Sequence, residues 1–197
     1  MIKKLAETPL PTVYGAFNMV AYDSGIEDFP HLLLTNLKST DGIANVRIHS
    51  ECMTGDVFSS VRCDCGEQLE AAMTFIAENG GILVYLRQEG RGIGLVNKIK
   101  AYNLQDEGLD TIKANHALGF HTDERDYTDG IEMLKDMGIT QINLLTNNPE
   151  KIDAFKDSGI EVNERVALDI QPRKENQQYL KTKKTDMGHF LKGLDLN

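Results

Sequence analysis

Residues 47–68 read Arg47-Ile48-His49-Ser50-Glu51-Cys52-Met53-Thr54-Gly55-Asp56-Val57-Phe58-Ser59-Ser60-Val61-Arg62-Cys63-Asp64-Cys65-Gly66-Glu67-Gln68 and hold all three cysteines of a 197-residue chain. The stretch begins as the end of a strand, Ala44 to His49, and ends as the start of a helix, so it contains the change of period on which an α/β reading rests. Alternation along the strand puts Arg47, His49 and Glu51 on one side if it stays extended. Cys63 and Cys65 bracket one residue, and Cys52 lies eleven positions earlier. A turn between them brings three thiolates onto one metal ion, and three protein ligands on a tetrahedral zinc leave a position for chemistry. Two other readings stay open at this point. The thiols could be small buried apolar groups, or His49 could complete a structural four-ligand site.

Working outward, the sequence downstream of Cys65 takes a helical period through Leu69, Ala72, Met73 and Ile76, and Gly80-Gly81 stops it. Ile82 to Leu86 is a short apolar run suited to a strand buried on both faces. It feeds the loop Arg87-Gln88-Glu89-Gly90-Arg91-Gly92-Ile93-Gly94, placed where open α/β sheets bind ligands. A helix over 94–105 is expected from Leu95, Ile99 and Tyr102, with Tyr102 on the core side. Residues 106–127 show little period and are read as a long irregular connection, which in a compact domain points to function. Helical spacing returns over 129–137. Ile139 to Thr146 is a strand, followed by Asn148 as a cap, Pro149 at the first helical position and Lys151 in the first turn, a candidate anion site. The last strand is expected near Ile160 to Ala167.

Upstream, residues 12–22 alternate as a half-buried strand carrying Val13, Phe17 and Met19. His31 to Thr35 forms another strand, with a Ser39-Thr40-Asp41-Gly42 turn before Ala44. The expected fold is therefore α/β and three-layer with a mixed β-sheet: N-terminal antiparallel strands followed by alternating strands and helices. Residues 1–170 are expected to form the catalytic domain, and the basic tail 171–197 part of the same domain, with a short helix around Thr185 to Leu194. That tail carries six Lys/Arg against three Asp/Glu.

Composition narrows the class. Hydrophobic residues make up 41% and charged residues 26%, near the globular average. A net charge of −9 argues against a general nucleic-acid binder, although a small anionic ligand needs only a few convergent cations. No run approaches the roughly eighteen apolar residues of a membrane span. Few cysteines and no apolar leader segment point to the cytoplasm.

The series His49-Ser50-Glu51-Cys52 with Thr54-Gly55-Asp56, Arg62-Cys63-Asp64-Cys65-Gly66 with Gln68-Leu69-Glu70, Arg87-Gln88-Glu89-Gly90-Arg91, Gly119-Phe120 with Asp123 and Arg125-Asp126, and Leu145-Thr146-Asn147-Asn148-Pro149 with Lys151 closely resembles the GTP cyclohydrolase II family. The resemblance covers nearly the whole chain. It implies hydrolysis of GTP to 2,5-diamino-6-(5-phosphoribosylamino)pyrimidin-4(3H)-one, formate and pyrophosphate, the first step of riboflavin biosynthesis. It further implies one zinc ion per subunit on Cys52, Cys63 and Cys65, magnesium with the triphosphate, and a homodimer. Arg47, Ile48, His49, Ser50, Glu51, Gln68, Glu89, Gly90, Arg91, Thr111, Thr146 and Lys151 match positions that contact GTP. Asp123 and Arg125 match the proton acceptor and nucleophile assigned in the family, and Tyr102 is a candidate for proton transfer. Cooperation between Asp123 and Arg125, two residues apart, requires extended or turn geometry, since such residues do not face each other on a helix. A zinc-dependent deaminase shares His-x-Glu through His49 and Glu51 but needs Pro-Cys-x-x-Cys, which is missing here.

Overall fold

The structure is a computed structural model and describes residues 2–26, 28–37 and 42–192. The expected turn at Ser39 to Asp41 lies outside the described residues. In chain order the elements are β1 (Lys4–Thr12), β2 (Gly15–Tyr22), β3 (His31–Asn36), β4 (Ala44–Ser50), α1 (Met53–Asp56), α2 (Cys65–Asn79), β5 (Gly81–Leu86), a 3-10 turn (Glu89–Gly92), α3 (Leu95–Asp106), α4 (Thr111–Ala117), α5 (Thr128–Asp136), β6 (Gln141–Leu145), α6 (Pro149–Asp153), β7 (Glu161–Val166) and α7 (Gln177–Thr185). Backbone contacts divide the chain into two compact units. One comprises 1–49, 69–87 and 127–168, and the other 50–68, 88–126 and 169–197.

The first unit is a seven-stranded mixed sheet in the order β1-β2-β3-β5-β4-β6-β7. β1, β2, β3 and β5 pair antiparallel, whereas β4 with β6 and β6 with β7 pair parallel. Side-chain alternation feeds two separate cores, as a sheet covered on both faces requires. On one face Leu33, Val46, Ile48, Val84 and Leu86 pack with Ile131 and Leu134 of α5 and with Phe155. On the other, Phe17, Leu34 and Leu83 pack with Ala72, Met73 and Ile76 of α2. Helix, sheet and helix make the three layers expected from the alternation of strand and helix.

Several local expectations are corrected. β1 is not among the expected strands; it pairs with β2 alone, at the edge of the sheet, where Pro9 and Pro11 are tolerated. The strand expected from residue 12 starts at Gly15, and Val13 is 95% exposed. The reason is the Thr12 hydroxyl, which accepts from the Tyr14 and Gly15 amides and donates to the Gly15 carbonyl, closing a tight hairpin. The irregular stretch 106–127 contains α4, started by the Asp110 carboxylate accepting from the Lys113 amide. The tail helix spans Gln177–Thr185, and residues 186–192 of the expected 185–194 are not helical, the last two positions lying outside the described residues. No helix among the described residues is long and apolar enough to cross a membrane.

A candidate metal centre with three cysteines

The second unit builds its centre from α1, the start of α2, α3, the loop 119–126 and the C-terminal segment. Cys52 precedes α1, Cys63 lies in the turn before α2, and Cys65 opens α2. Their three sulfurs all lie within 4.8 Å of one another, with Cys52 Sγ and Cys63 Sγ 3.6 Å apart. Tetrahedral zinc with Zn–S bonds of about 2.3 Å sets its sulfurs about 3.8 Å apart, so the arrangement fits that ion. The group of mutually close ligand atoms contains no histidine or carboxylate among the described residues.

Two glycines make this closeness possible. A Cβ on Gly66 would lie 2.4 Å from the Gly55 carbonyl oxygen, and one on Gly55 would meet Cys63 Sγ and Cys65 Cβ at 3.1 Å. The α1 and α2 backbones therefore touch where the sulfurs converge, which a side chain at Gly66 would prevent. In the protein alone, hydrogen bonds from the Cys63 and Cys65 thiols hold the Cys52 thiol well below its ordinary range, with the Lys98 ammonium adding to the effect. The same hydrogen bond to Cys52 pushes Cys63 up to about 11. A divalent cation bound there would override that order, holding Cys52, Cys63 and Cys65 all as thiolates.

Lys98 is the residue that the helical spacing hid. Leu95, Ile99 and Tyr102 suggest an apolar face for α3, yet Ile99 is 49% exposed while Lys98 and Ala101 are buried. Lys98 Nζ donates to Cys52 Sγ at 3.0 Å and to Glu89 Oε1 at 2.8 Å. Burial alone would push its ammonium down, but the thiolate and carboxylate more than offset that and keep it charged. Glu89 is spent inside the protein: Oε1 also accepts from the Gly90 amide and Oε2 from the Met53 amide. Lys98 and Tyr102 are four apart on one helix face, which is the signal that ties Lys98 to the site.

Tyr102 comes within one hydroxyl of the sulfurs. Its OH is 3.3 Å from Thr54 Oγ1, which is 3.6 Å from Cys52 Sγ. Burial raises the Tyr102 phenol above its ordinary value, so it is a neutral donor at pH 7. Arg62 lies over the Tyr102 ring at 4.9 Å and pairs with Asp106 at 2.8 Å.

Asp123 and Arg125 lie in a loop outside any helix. Arg125 Nε donates to Asp123 Oδ1 at 2.8 Å, and Nη2 donates to Oδ2. Burial pushes the Asp123 carboxyl up, and the Arg125 hydrogen bonds and charge outweigh it, so it stays ionised. In the 3-10 turn both Gly90 and Arg91 have left-handed backbones, with φ of 63°. That conformation costs a non-glycine residue about 1–2 kcal/mol and aims Arg91, whose Nη2 is buried with no hydrogen-bond partner among the described residues. Gln88 Nε2 donates to Ser50 Oγ at 2.9 Å, Gln68 Nε2 donates to Asp64 Oδ2, and Thr111 is the first residue of α4. Glu51 is half-buried just beyond β4.

The remaining expected positions belong to the sheet unit. Arg47 Nη1 donates to the Leu145 carbonyl at 3.0 Å, Ile48 is a core side chain, and His49 stacks on Tyr85 with ring centroids 5.4 Å apart. Thr146 Oγ1 accepts from the Asn148 amide, and Asn148 caps α6 as expected. Lys151 is buried rather than presented at the surface of the cap. Its Nζ donates to the Ile48 carbonyl at 2.7 Å and lies 5.4 Å from the Tyr127 ring centroid.

An α/β fold carrying three cysteine sulfurs this close together is the kind of arrangement that could hold a metal ion. The profile of the GTP cyclohydrolase II family matches residues 3–167, and the chain belongs to that family. It is 48% identical over 193 residues to a riboflavin biosynthesis protein RibBA of Chlorobium phaeovibrioides, covering 97% of this chain and 47% of the relative. A RibBA of Bacillus cytotoxicus is 50% identical over 192 residues, 96% of this chain and 48% of the relative. The chain thus spans about half the length of these relatives. The crystal structure of RibBX, a two domain 3,4-dihydroxy-2-butanone 4-phosphate synthase from A. baumannii, aligns with 86% of this chain and 40% of that one at a TM-score of 0.46 and 18% identity, too distant to carry an argument.

Proposed function

We propose that the protein hydrolyses GTP to 2,5-diamino-6-(5-phosphoribosylamino)pyrimidin-4(3H)-one, formate and pyrophosphate, the first step of riboflavin biosynthesis, with one zinc ion per subunit on Cys52, Cys63 and Cys65. Family membership over residues 3–167 together with three sulfurs at zinc spacing carries this reading. When bound, zinc supplies Lewis acidity, which lowers the pKa of water from 15.7 to about 7. Tyr102, neutral and joined to the cluster through Thr54, is suited to give a proton to the ring nitrogen released as the imidazole opens. Lys98 holds Cys52 in its charged form through the hydrogen bond from its ammonium.

Arg125 acts by charge at the α-phosphate rather than as a nucleophile. The reference pKa values of an aspartate and a guanidinium differ by about 9–10 units, on the order of 12–13 kcal/mol, and the bidentate pairing with Asp123 favours both charged forms further. Arg91, with a buried unpaired Nη2, is suited to phosphate oxygen. Magnesium accompanies the triphosphate, and Arg47, Ile48, His49, Ser50, Glu51, Gln68, Glu89, Gly90, Thr111, Thr146 and Lys151 are the other positions proposed to contact GTP. The internal bonds of Glu89 and Lys151 support roles in shaping the binding surface for these two. The tail 171–197 belongs to the same catalytic domain as 1–170. The protein works in the cytoplasm as a homodimer and binds neither nucleic acid nor membrane, a reading that the resemblance and the net charge of −9 support. Incubation with GTP, zinc and magnesium tests it: formate and pyrophosphate in equal amounts are expected, whereas ammonia would indicate deamination and neither product would leave a zinc-binding module.

A further inference from the structure

The family match ends at residue 167, and the segment after Leu168 is the part of the chain that composition marks as a basic, solvated tail. Its helix α7 behaves otherwise. Leu180, Thr182 and Lys183 are buried, and Lys183 is only 8% exposed despite its charge. Lys183 Nζ donates at 2.7 Å to Oδ1 of Asp64, the residue between Cys63 and Cys65, which is 1% exposed. The other carboxylate oxygen of Asp64 accepts from Gln68 Nε2 at 2.5 Å, and the Asp64 carbonyl accepts from the Gln68 amide. Both sides of the Cys-Asp-Cys turn are thus held through Asp64, one from α2 and one from α7. The Tyr179 ring lies between two cations, with Lys183 Nζ at 4.5 Å and Arg91 Cζ at 5.8 Å from its centroid. A second tie, Arg173 to Glu67 at 2.6 Å, is exposed and contributes little.

A carboxylate buried beside three thiolates is costly unless a cation answers it. Asp64 has such a cation in Lys183. We propose that Lys183 is a positioning residue for the metal centre: the segment 169–192 clamps the Cys63-Asp64-Cys65 turn through the Lys183–Asp64 ion pair, so that metal retention depends on a part of the chain beyond the family match. The proposal rests on the reading that the three sulfurs bind zinc. Groups that orient ligands from behind typically change metal affinity by about 10–100-fold when removed.

The test uses the full chain, zinc competed by a chromophoric chelator, and cobalt(II) substitution read by its thiolate charge-transfer bands. Lys183→Met is expected to weaken zinc about 10–100-fold and to shift the cobalt spectrum. In an Asp64→Asn background the same change is expected to have little further effect, because its partner is gone. Arg173→Ala, which loosens the exposed tie alone, is expected to leave zinc affinity unchanged. Equal losses with and without Asp64, or a loss on Arg173→Ala as large as on Lys183→Met, would overturn the proposal. A measurement on the unsubstituted protein covers the case in which Lys183→Met does not fold. Linkage is reciprocal, so removing zinc must lower amide-exchange protection across 177–185, and unchanged protection there would also overturn it. If the unsubstituted protein shows no thiolate bands with cobalt, the zinc reading itself fails; if it shows them and Lys183→Met matches it, only the clamp fails.

Discussion

Replacing Lys98 by methionine removes one ammonium and leaves the α3 backbone and most of the side-chain volume in place. The structure sets the size of the effect. Lys98 Nζ is shared between Glu89 Oε1 at 2.8 Å and Cys52 Sγ at 3.0 Å, and both Lys98 and Glu89 are buried. Breaking a buried ion pair from one side costs about 3–5 kcal/mol because the other charge is left uncompensated. Glu89 keeps two backbone donors, Met53 and Gly90, so the lower end of that range, about 3 kcal/mol, is expected. The loss at Cys52 is separate and falls on the metal, about 10–100-fold in zinc affinity, or roughly 1.4–2.7 kcal/mol. Urea unfolding at fixed free zinc reads the first quantity and chelator competition the second. The double substitution Lys98→Met with Glu89→Gln is expected to recover part of the stability and none of the zinc affinity, because only the carboxylate's charge is relieved. A Lys98→Met protein with unchanged urea midpoint and zinc affinity within twofold of the unsubstituted chain would refute the reasoning.

Gly66→Ala places a methyl 2.4 Å from the Gly55 carbonyl oxygen, a backbone atom that cannot rotate away. Zinc content after gel filtration should collapse, and full zinc content in a folded Gly66→Ala protein would contradict the packing argument. Tyr22→Phe removes the 2.7 Å hydrogen bond to Asp136 Oδ2 and should cost about 1.5–3 kcal/mol, the range for a bond to a charged group. Burial and Asp136 raise the Tyr22 phenol above its ordinary value, so the stability it gives is complete below about pH 10 and is lost as the pH rises further. Urea midpoints of the unsubstituted protein should therefore fall above pH 10 more steeply than those of Tyr22→Phe, and parallel curves would be inconsistent with this. Arg125→Lys keeps a charge but loses the fork that grips Asp123, so turnover should fall while zinc content holds; a phosphoramidate trapped on Arg125 would overturn its electrostatic role.

The sheet and its covering helices were legible because their signals are local and repeated. Ile82 to Leu86 is apolar at every position and proves buried on both faces, and Leu69, Ala72, Met73 and Ile76 mark the face of α2 that meets the sheet. The cysteine cluster was legible because thiol spacing tolerates few alternatives. What stayed hidden depends on partners distant in sequence. Lys98 sits on a helix where Val96 and Ile99 are exposed, and its partners Cys52 and Glu89 come from elsewhere in the sequence. Lys183 reads as one more charge in a basic tail until Asp64, 119 positions earlier, is placed against it. The short helix α4 escaped because seven residues hold too few turns for a period to emerge.

The central claim, a three-thiolate zinc centre that opens the guanine ring of GTP, is tested most directly by quantifying formate and pyrophosphate from GTP with the unsubstituted protein and with Cys63→Ser at measured zinc content. The account predicts one formate and one pyrophosphate per GTP consumed, with formate release and bound zinc lost together in Cys63→Ser. Normal formate release from zinc-free Cys63→Ser, or GTP consumed without formate by the zinc-loaded unsubstituted protein, would contradict it.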